Sequence, residues 1–91
     1  MDFSREDLGT VFRWLRGHSP WQKGTDMLAH RLRDVVHYGK VLAALDILCE
    51  LGLISRKMQR GIETIQVLPA KKKAELTDSP TYRLLQQRGG A

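Results

Sequence analysis

Cys49, the three histidines and the adjacent acids Glu6 and Asp7 are the side chains of this sequence best suited to catalysis or metal binding. Their spacing favours neither. His18, His30 and His37 lie 12 and 7 residues apart, whereas a zinc site uses clustered ligands, mostly cysteine, at short spacings. Cys49, the single cysteine, has no histidine at a metal-like spacing. Its expected role is that of a buried, inert small hydrophobe, the usual state of a free thiol. Glu6 and Asp7 follow a cap residue, where acids offset the positive end of a helix dipole. No second carboxylate pair suggests acid–base work. No phosphate-binding glycine loop, dinucleotide fingerprint, serine nucleophile elbow or HExxH zinc motif occurs. The sequence therefore predicts no catalytic residue, no metal site and no cofactor in this segment.

Binding chemistry is more visible. The net charge is +5, and residues 1–54 contribute none of it, with seven Lys/Arg against seven Asp/Glu. Residues 55–91 carry eight Lys/Arg against three Asp/Glu. An asymmetry of this kind suits a polyanion partner, most often nucleic acid. Arg56, Lys57 and Arg60 crowd one short stretch, and Lys71, Lys72 and Lys73 follow it. Flexible cations without a fixed frame suit phosphate contact rather than base readout. They equally suit the edge of a hairpin, where charge blocks unwanted strand pairing. Trp14 and Trp21 are the candidates for stacking single-stranded bases, with core or rim packing as the alternative.

The elements that must position these residues follow from hydrophobic periodicity. Ser4 is a natural N-cap, and Leu8, Val11, Phe12 and Leu15 share one helical face. This predicts a helix over 5–16, with Gly17 just past its end and Ser19-Pro20 stopping it. Residues 18–24 read as a connector. Thr25-Asp26 signals a second cap, and Leu28, Leu32, Val35 and Val36 predict a helix over 26–36, broken at Tyr38-Gly39. A third helix is expected over 40–51, with Val41, Leu42, Leu45 and Leu48 inward and Gly52 as its stop. Two β-branched stretches, 53–58 and 62–68, predict a hairpin with Gln59-Arg60-Gly61 as a three-residue loop. A basic linker follows Pro69. Ser79-Pro80 is a helix entry, with a short last helix over 81–88 and a disordered tail. The expected core is Leu8, Phe12, Leu15, Leu28, Leu32, Val41, Leu45, Leu48, Ile54 and Ile65.

The 91 residues suffice for one domain. Residues 1–69 are expected to form its core; the linker, short helix and tail of 70–91 belong to the same unit. No apolar run is long enough to span a membrane. Met1 to Glu6 lack the apolar stretch of a secretory signal, and a lone cysteine forms no internal disulfide; a monomer in the reducing cytoplasm is expected. The predicted class is α+β, winged-helix-like: three helices, a β-hairpin and a short C-terminal helix. The junction Leu48-Cys49-Glu50-Leu51-Gly52-Leu53-Ile54, a core helix dropping through glycine into a strand, carries that reading. The outward face of the third helix offers Lys40, Ala43, Asp46 and Glu50. Two carboxylates there would repel a duplex, so this helix is not expected to read bases.

Three stretches carry a resemblance. They are 3–15 (Phe3-Ser4-Arg5 through Trp14-Leu15), 40–54 (Lys40-Val41-Leu42 through Leu53-Ile54), and 73–83, with Leu76-Thr77-Asp78-Ser79-Pro80-Thr81-Tyr82 the most specific. They cover 39 of the 91 residues in this order, and on them the chain resembles the C-terminal domain of bacterial RecJ-type single-stranded-DNA exonucleases. The resemblance implies a parent that is a metal-dependent 5'-3' exonuclease of DNA repair and recombination. Its Mg or Mn would sit in an upstream core bearing a DHH triplet, which is missing from this sequence. It implies for this segment a noncatalytic accessory role, holding DNA, single-stranded in that family, or recruiting a repair protein. Arg56, Lys57, Arg60, Lys71, Lys72 and Lys73 are the nucleic-acid contacts expected from charge. The alternatives are a protein-interaction module using the acidic face of the third helix and, against the sign of that face, a transcription regulator.

Overall fold

The computed structural model describes residues 5–69 and 75–89. Three helices, a two-stranded antiparallel hairpin and a C-terminal helix follow one another, the α+β order expected from the sequence. The elements are α1 (Arg5–His18), α2 (Thr25–Arg31), α3 (Tyr38–Glu50), β1 (Ile54–Gln59), β2 (Ile62–Val67) and α4 (Pro80–Gly89). One 3₁₀ turn, Leu76–Asp78, leads into α4. Helix α3 is central: α1, α2, β1 and α4 all pack on it. Its buried stripe is Val41, Ala44, Leu45, Ile47 and Leu48, against Leu8, Val11 and Leu15 of α1 and Leu28 and Ala29 of α2. Ile54 and Ile65 bring the hairpin into the same cluster.

Several local expectations change. Helix α1 runs through Gly17 to His18 because His18 Nδ1 donates to the Trp14 carbonyl at 2.8 Å and its ring stacks on Trp14. Helix α2 stops at Arg31, five residues short of the expected end. The amides of Val35 and Val36 both turn back to the Leu32 carbonyl, so helical phase is lost there. Val36 is buried and Val35 is 68% exposed, although periodicity placed both inward. Gly24, not Thr25, caps α2. Tyr38-Gly39, expected as the break between the second and third helices, is instead the start of α3, since the His37 ring accepts the Gly39 amide.

The core differs at its margins. Phe12 and Leu42 are half-buried, whereas Ile47 is fully buried. Cys49, expected inside, is exposed. Ile47 and Cys49 flank Leu48 in sequence, so each lies about 100° around the helix from it. Packing covers one flank and leaves the other to solvent. The hairpin pairs Ile54 with Val67 through Gln59 with Ile62, so its loop is the two residues Arg60-Gly61. Both have positive φ, 53° and 78°, which is the twist-matched two-residue turn of antiparallel hairpins. Ser79 behaves as the expected cap: its Oγ accepts the Tyr82 amide at 3.1 Å, with Pro80 first in the helix. Ser4, the linker residues 70–74 and residues 90–91 of the tail lie outside the described residues.

Candidate nucleic-acid interface

Side chains alternate across the hairpin. Ile54, Arg56 and Met58 of β1 share one face with Glu63, Ile65 and Val67 of β2. This inner face turns toward α3. Ser55, Lys57, Gln59, Ile62, Thr64 and Gln66 share the outer face. The three cations that composition grouped together are thereby separated.

Arg56 falls on the inner face and is engaged. Its Nε donates to Glu63 Oε1 at 2.6 Å and its Nη1 to Asp46 Oδ1 at 2.7 Å. Burial alone would weaken the guanidinium's hold on its proton. The hydrogen bonds and charges of Glu63 and Asp46 outweigh this and hold its pKa above the ordinary arginine value. Thr25 Oγ1 also donates to Glu63 Oε1, so the network joins α2, α3, β1 and β2. Arg56 is therefore a cross-link of the fold, not an available phosphate contact. The reason is geometric: a residue opposite the buried Ile65 faces inward whatever its charge.

Lys57 and Arg60 remain exposed, Lys57 on the outer face and Arg60 at the turn. Lys71, Lys72 and Lys73 lie outside the described residues. Trp21 is only 6% exposed and belongs to the core. Its backbone forms a bridge with Ile65, N–H to carbonyl in both directions at 2.8 and 2.9 Å, and its Nε1 donates to the Gly24 carbonyl. Trp14 is half-buried, with His18 stacked at 3.9 Å and Trp21 edge-on at 5.0 Å. The two indoles pack on each other rather than offering open faces to bases.

The Trp21 bridge also repositions a segment that local sequence signals left as a connector. It lays residues 21–23 along the free side of β2. Gln22 thus joins Gln59, Arg60, Ile62 and Thr64 around a shallow groove on the outer face. Lys23 joins Gly61 and Ile62 beside the turn, in a hollow that Asp26 and Glu63 also line. Lys23 has a positive charge and no ion pair among the described residues, its ammonium resting 5.9 Å from the Trp21 ring centre. Trp-x-Lys in an apparent connector gives only a faint signal of this placement, because the bridge depends on a residue 44 positions away.

The acids of α3 are also engaged. Asp46 holds Arg56. Glu50 grips the entry of α4: Oε1 accepts from Ser79 Oγ at 2.5 Å and from the Thr81 amide at 3.0 Å, and Oε2 accepts from Thr81 Oγ1 at 2.5 Å. Partial desolvation favours the neutral carboxyl. The bonds from Ser79 and Thr81, with the charge of Arg83, outweigh it and hold Glu50 below the usual glutamate range. A depressed carboxylate stabilises the folded state above the ordinary glutamate pKa and loses that contribution as pH falls through its folded value. The amide resonances of Thr81 and Tyr82 should therefore titrate together with a midpoint below the ordinary glutamate value, and Glu50→Gln should abolish that titration. A midpoint at the ordinary value would contradict the clamp.

Among the described residues no group of three or more His, Cys, Asp or Glu is placed to hold a metal ion, and no helix is long and apolar enough to cross a membrane. The fold and this surface define a small α+β domain with a cationic hairpin end. No family model matches the chain, and neither a curated protein nor a solved structure matches it.

Proposed function

We propose that this is a noncatalytic accessory domain of winged-helix type that holds nucleic acid by its phosphates through the end of the hairpin. The observation that carries the reading is the division of charge. The inward arginine and the acids of α3 satisfy one another and the fold, while Lys57 on the outer face of the hairpin, Arg60 at its turn and Lys23 beside that turn have no ion pair among the described residues. The bridge of Trp21 to Ile65 supplies a third, one-residue rung to the hairpin between α1 and α2, and this supports the winged-helix reading. Helix α3, enclosed by four elements, supports binding by the hairpin rather than by a recognition helix. The resemblance to the C-terminal domain of RecJ-type exonucleases fits the same role: the domain adds grip to a catalytic core elsewhere and works in the cytoplasm. The protein-interaction alternative loses its main feature, since both carboxylates of α3 have internal partners.

Binding should be weak and steeply salt-dependent, because each neutralised phosphate releases condensed counterions. The double variant Lys57→Ala/Arg60→Ala should keep the wild-type melting curve. It should lower the slope of log affinity against log salt by roughly 0.7–0.9 for each phosphate that is no longer neutralised. Titration of a labelled oligonucleotide at several salt concentrations measures this. An unchanged slope would place the binding surface elsewhere, and absence of binding at low salt would remove the proposal.

A further inference from the structure

The two edges of the hairpin differ in how their main-chain polar groups are used. The amide and carbonyl of Ile65 both bond to Trp21, and the Val67 amide donates to Ser19 Oγ at 3.0 Å. The far edge of β2 is thus covered by the segment before α2. Among the described residues β1 has β2 as its one strand partner. Ile65 turns its backbone away from β1, so Arg56, directly opposite, turns its own amide and carbonyl away from β2. Alternation gives the Met58 backbone the same direction. No described residue bonds to these groups of Arg56 or Met58. Met58 is 68% exposed, so this end of the edge is open, whereas Ile54 at the other end is enclosed in the core. We propose that the open edge of β1 pairs in antiparallel register with an extended segment of a partner protein in which apolar and acidic residues alternate.

The choice of occupant follows from the groups on and around this edge. A strand edge offers carbonyls as well as amides. Phosphate oxygens only accept, whereas another strand satisfies both. A second copy of β1 is disfavoured, because it would bring Arg56 and Lys57 and no acid; lysine on an edge bars like strands in this way. An acidic strand turns the same charge into an attraction. Residues directly opposite one another share a face. A partner residue opposite Lys57 therefore lies on the outer face, where β1 presents Ser55, Lys57 and Gln59 and no carboxylate. An acid there meets an ammonium that has no ion pair among the described residues. Partner residues opposite Arg56 and Met58 lie on the inner face. Arg56 is already held by Asp46 and Glu63 and makes no claim on a further acid. Met58 offers its exposed apolar surface to a β-branched side chain.

The inference stands apart from the phosphate-binding role, since its probes contain no nucleic acid. The full 91-residue chain is titrated with an end-blocked peptide of about seven alternating valines and glutamates, the length of an ordinary strand. Binding is followed by NMR and amide hydrogen exchange. Exchange of the Arg56 and Met58 amides should slow in the complex. In an antiparallel pair, the peptide residues that bond to Arg56 and Met58 are the valines. N-methylation of the valine amides should therefore abolish binding, and N-methylation of the glutamate amides should spare it. A valine–lysine peptide should bind more weakly. Lys57→Glu, whose melting curve should match wild type, should weaken the valine–glutamate peptide about fivefold, as an attractive cross-strand pair becomes repulsive. Undiminished binding by the valine-methylated peptide, or protection away from β1, overturns the strand pairing. Equal affinity for the glutamate and lysine peptides overturns the acidic occupant. No binding overturns the inference outright, while titration with an oligonucleotide decides phosphate binding separately.

Discussion

Leu45→Ala should cost the domain about 2–5 kcal/mol, the range of a leucine truncated in a packed core. Leu45 is fully buried at the middle of α3, the helix against which α1, α2, β1 and α4 all pack. Deleting its isobutyl group leaves a cavity that no single neighbour can fill, because those elements approach from different sides and are held to one another. A domain of this size has only about 5–15 kcal/mol in hand, so the variant should sit close to the unfolding threshold at 37 °C. Urea denaturation followed by circular dichroism gives the number. A midpoint equal to wild type would mean that α3 is rotated from the phase described above. Cys49→Ala, four residues along the same helix, should be nearly silent because the thiol is exposed.

The second large effect is expected at Arg56, on stability rather than binding. Arg56→Ala removes two charge-assisted hydrogen bonds and leaves Glu63 with only the Thr25 hydroxyl. Charged hydrogen bonds contribute more than neutral ones, but Asp46 is half-exposed and water replaces part of its loss. The expected cost is roughly 1–3 kcal/mol, read as a shift in the denaturation midpoint. Oligonucleotide affinity, measured where the variant is fully folded, should change little. Lys57→Ala and Arg60→Ala should show the opposite pattern, with affinity lowered and stability kept. If Arg56→Ala reduced affinity as strongly as Arg60→Ala at unchanged stability, the inward cross-link would be wrong.

These paired expectations show which features were legible without coordinates. Leu8, Leu15, Leu28, Leu45, Leu48, Ile54 and Ile65 were readable as core because helical and strand periodicities are local properties of the chain. The hairpin and the Ser79-Pro80 entry to α4 were readable for the same reason: turn and cap chemistry act within a few residues. Where local signals compete, local reading fails. Gly17 and the Tyr38-Gly39 pair resemble breakers, but nearby rings decide otherwise: His18 extends α1 and His37 caps α3.

Element order, most of the buried stripe and the excess of positive charge in residues 55–91 are thus legible along the chain. What each charge does depends on long-range packing. Arg56, Lys57 and Arg60 are equivalent in composition. The register of β1 against β2 turns the first inward to Asp46 and Glu63 and leaves the other two outside. Trp21 could have been a stacking platform until its bridge to Ile65 drew it into the core and carried Gln22 and Lys23 to the hairpin. Glu50 read as a repulsive surface acid until Ser79 and Thr81, about thirty residues later, closed on it. Periodicity reports which side of an element is apolar. Long-range pairing determines which neighbour a polar group meets, and that neighbour decides whether the group is held by the fold or available to a partner.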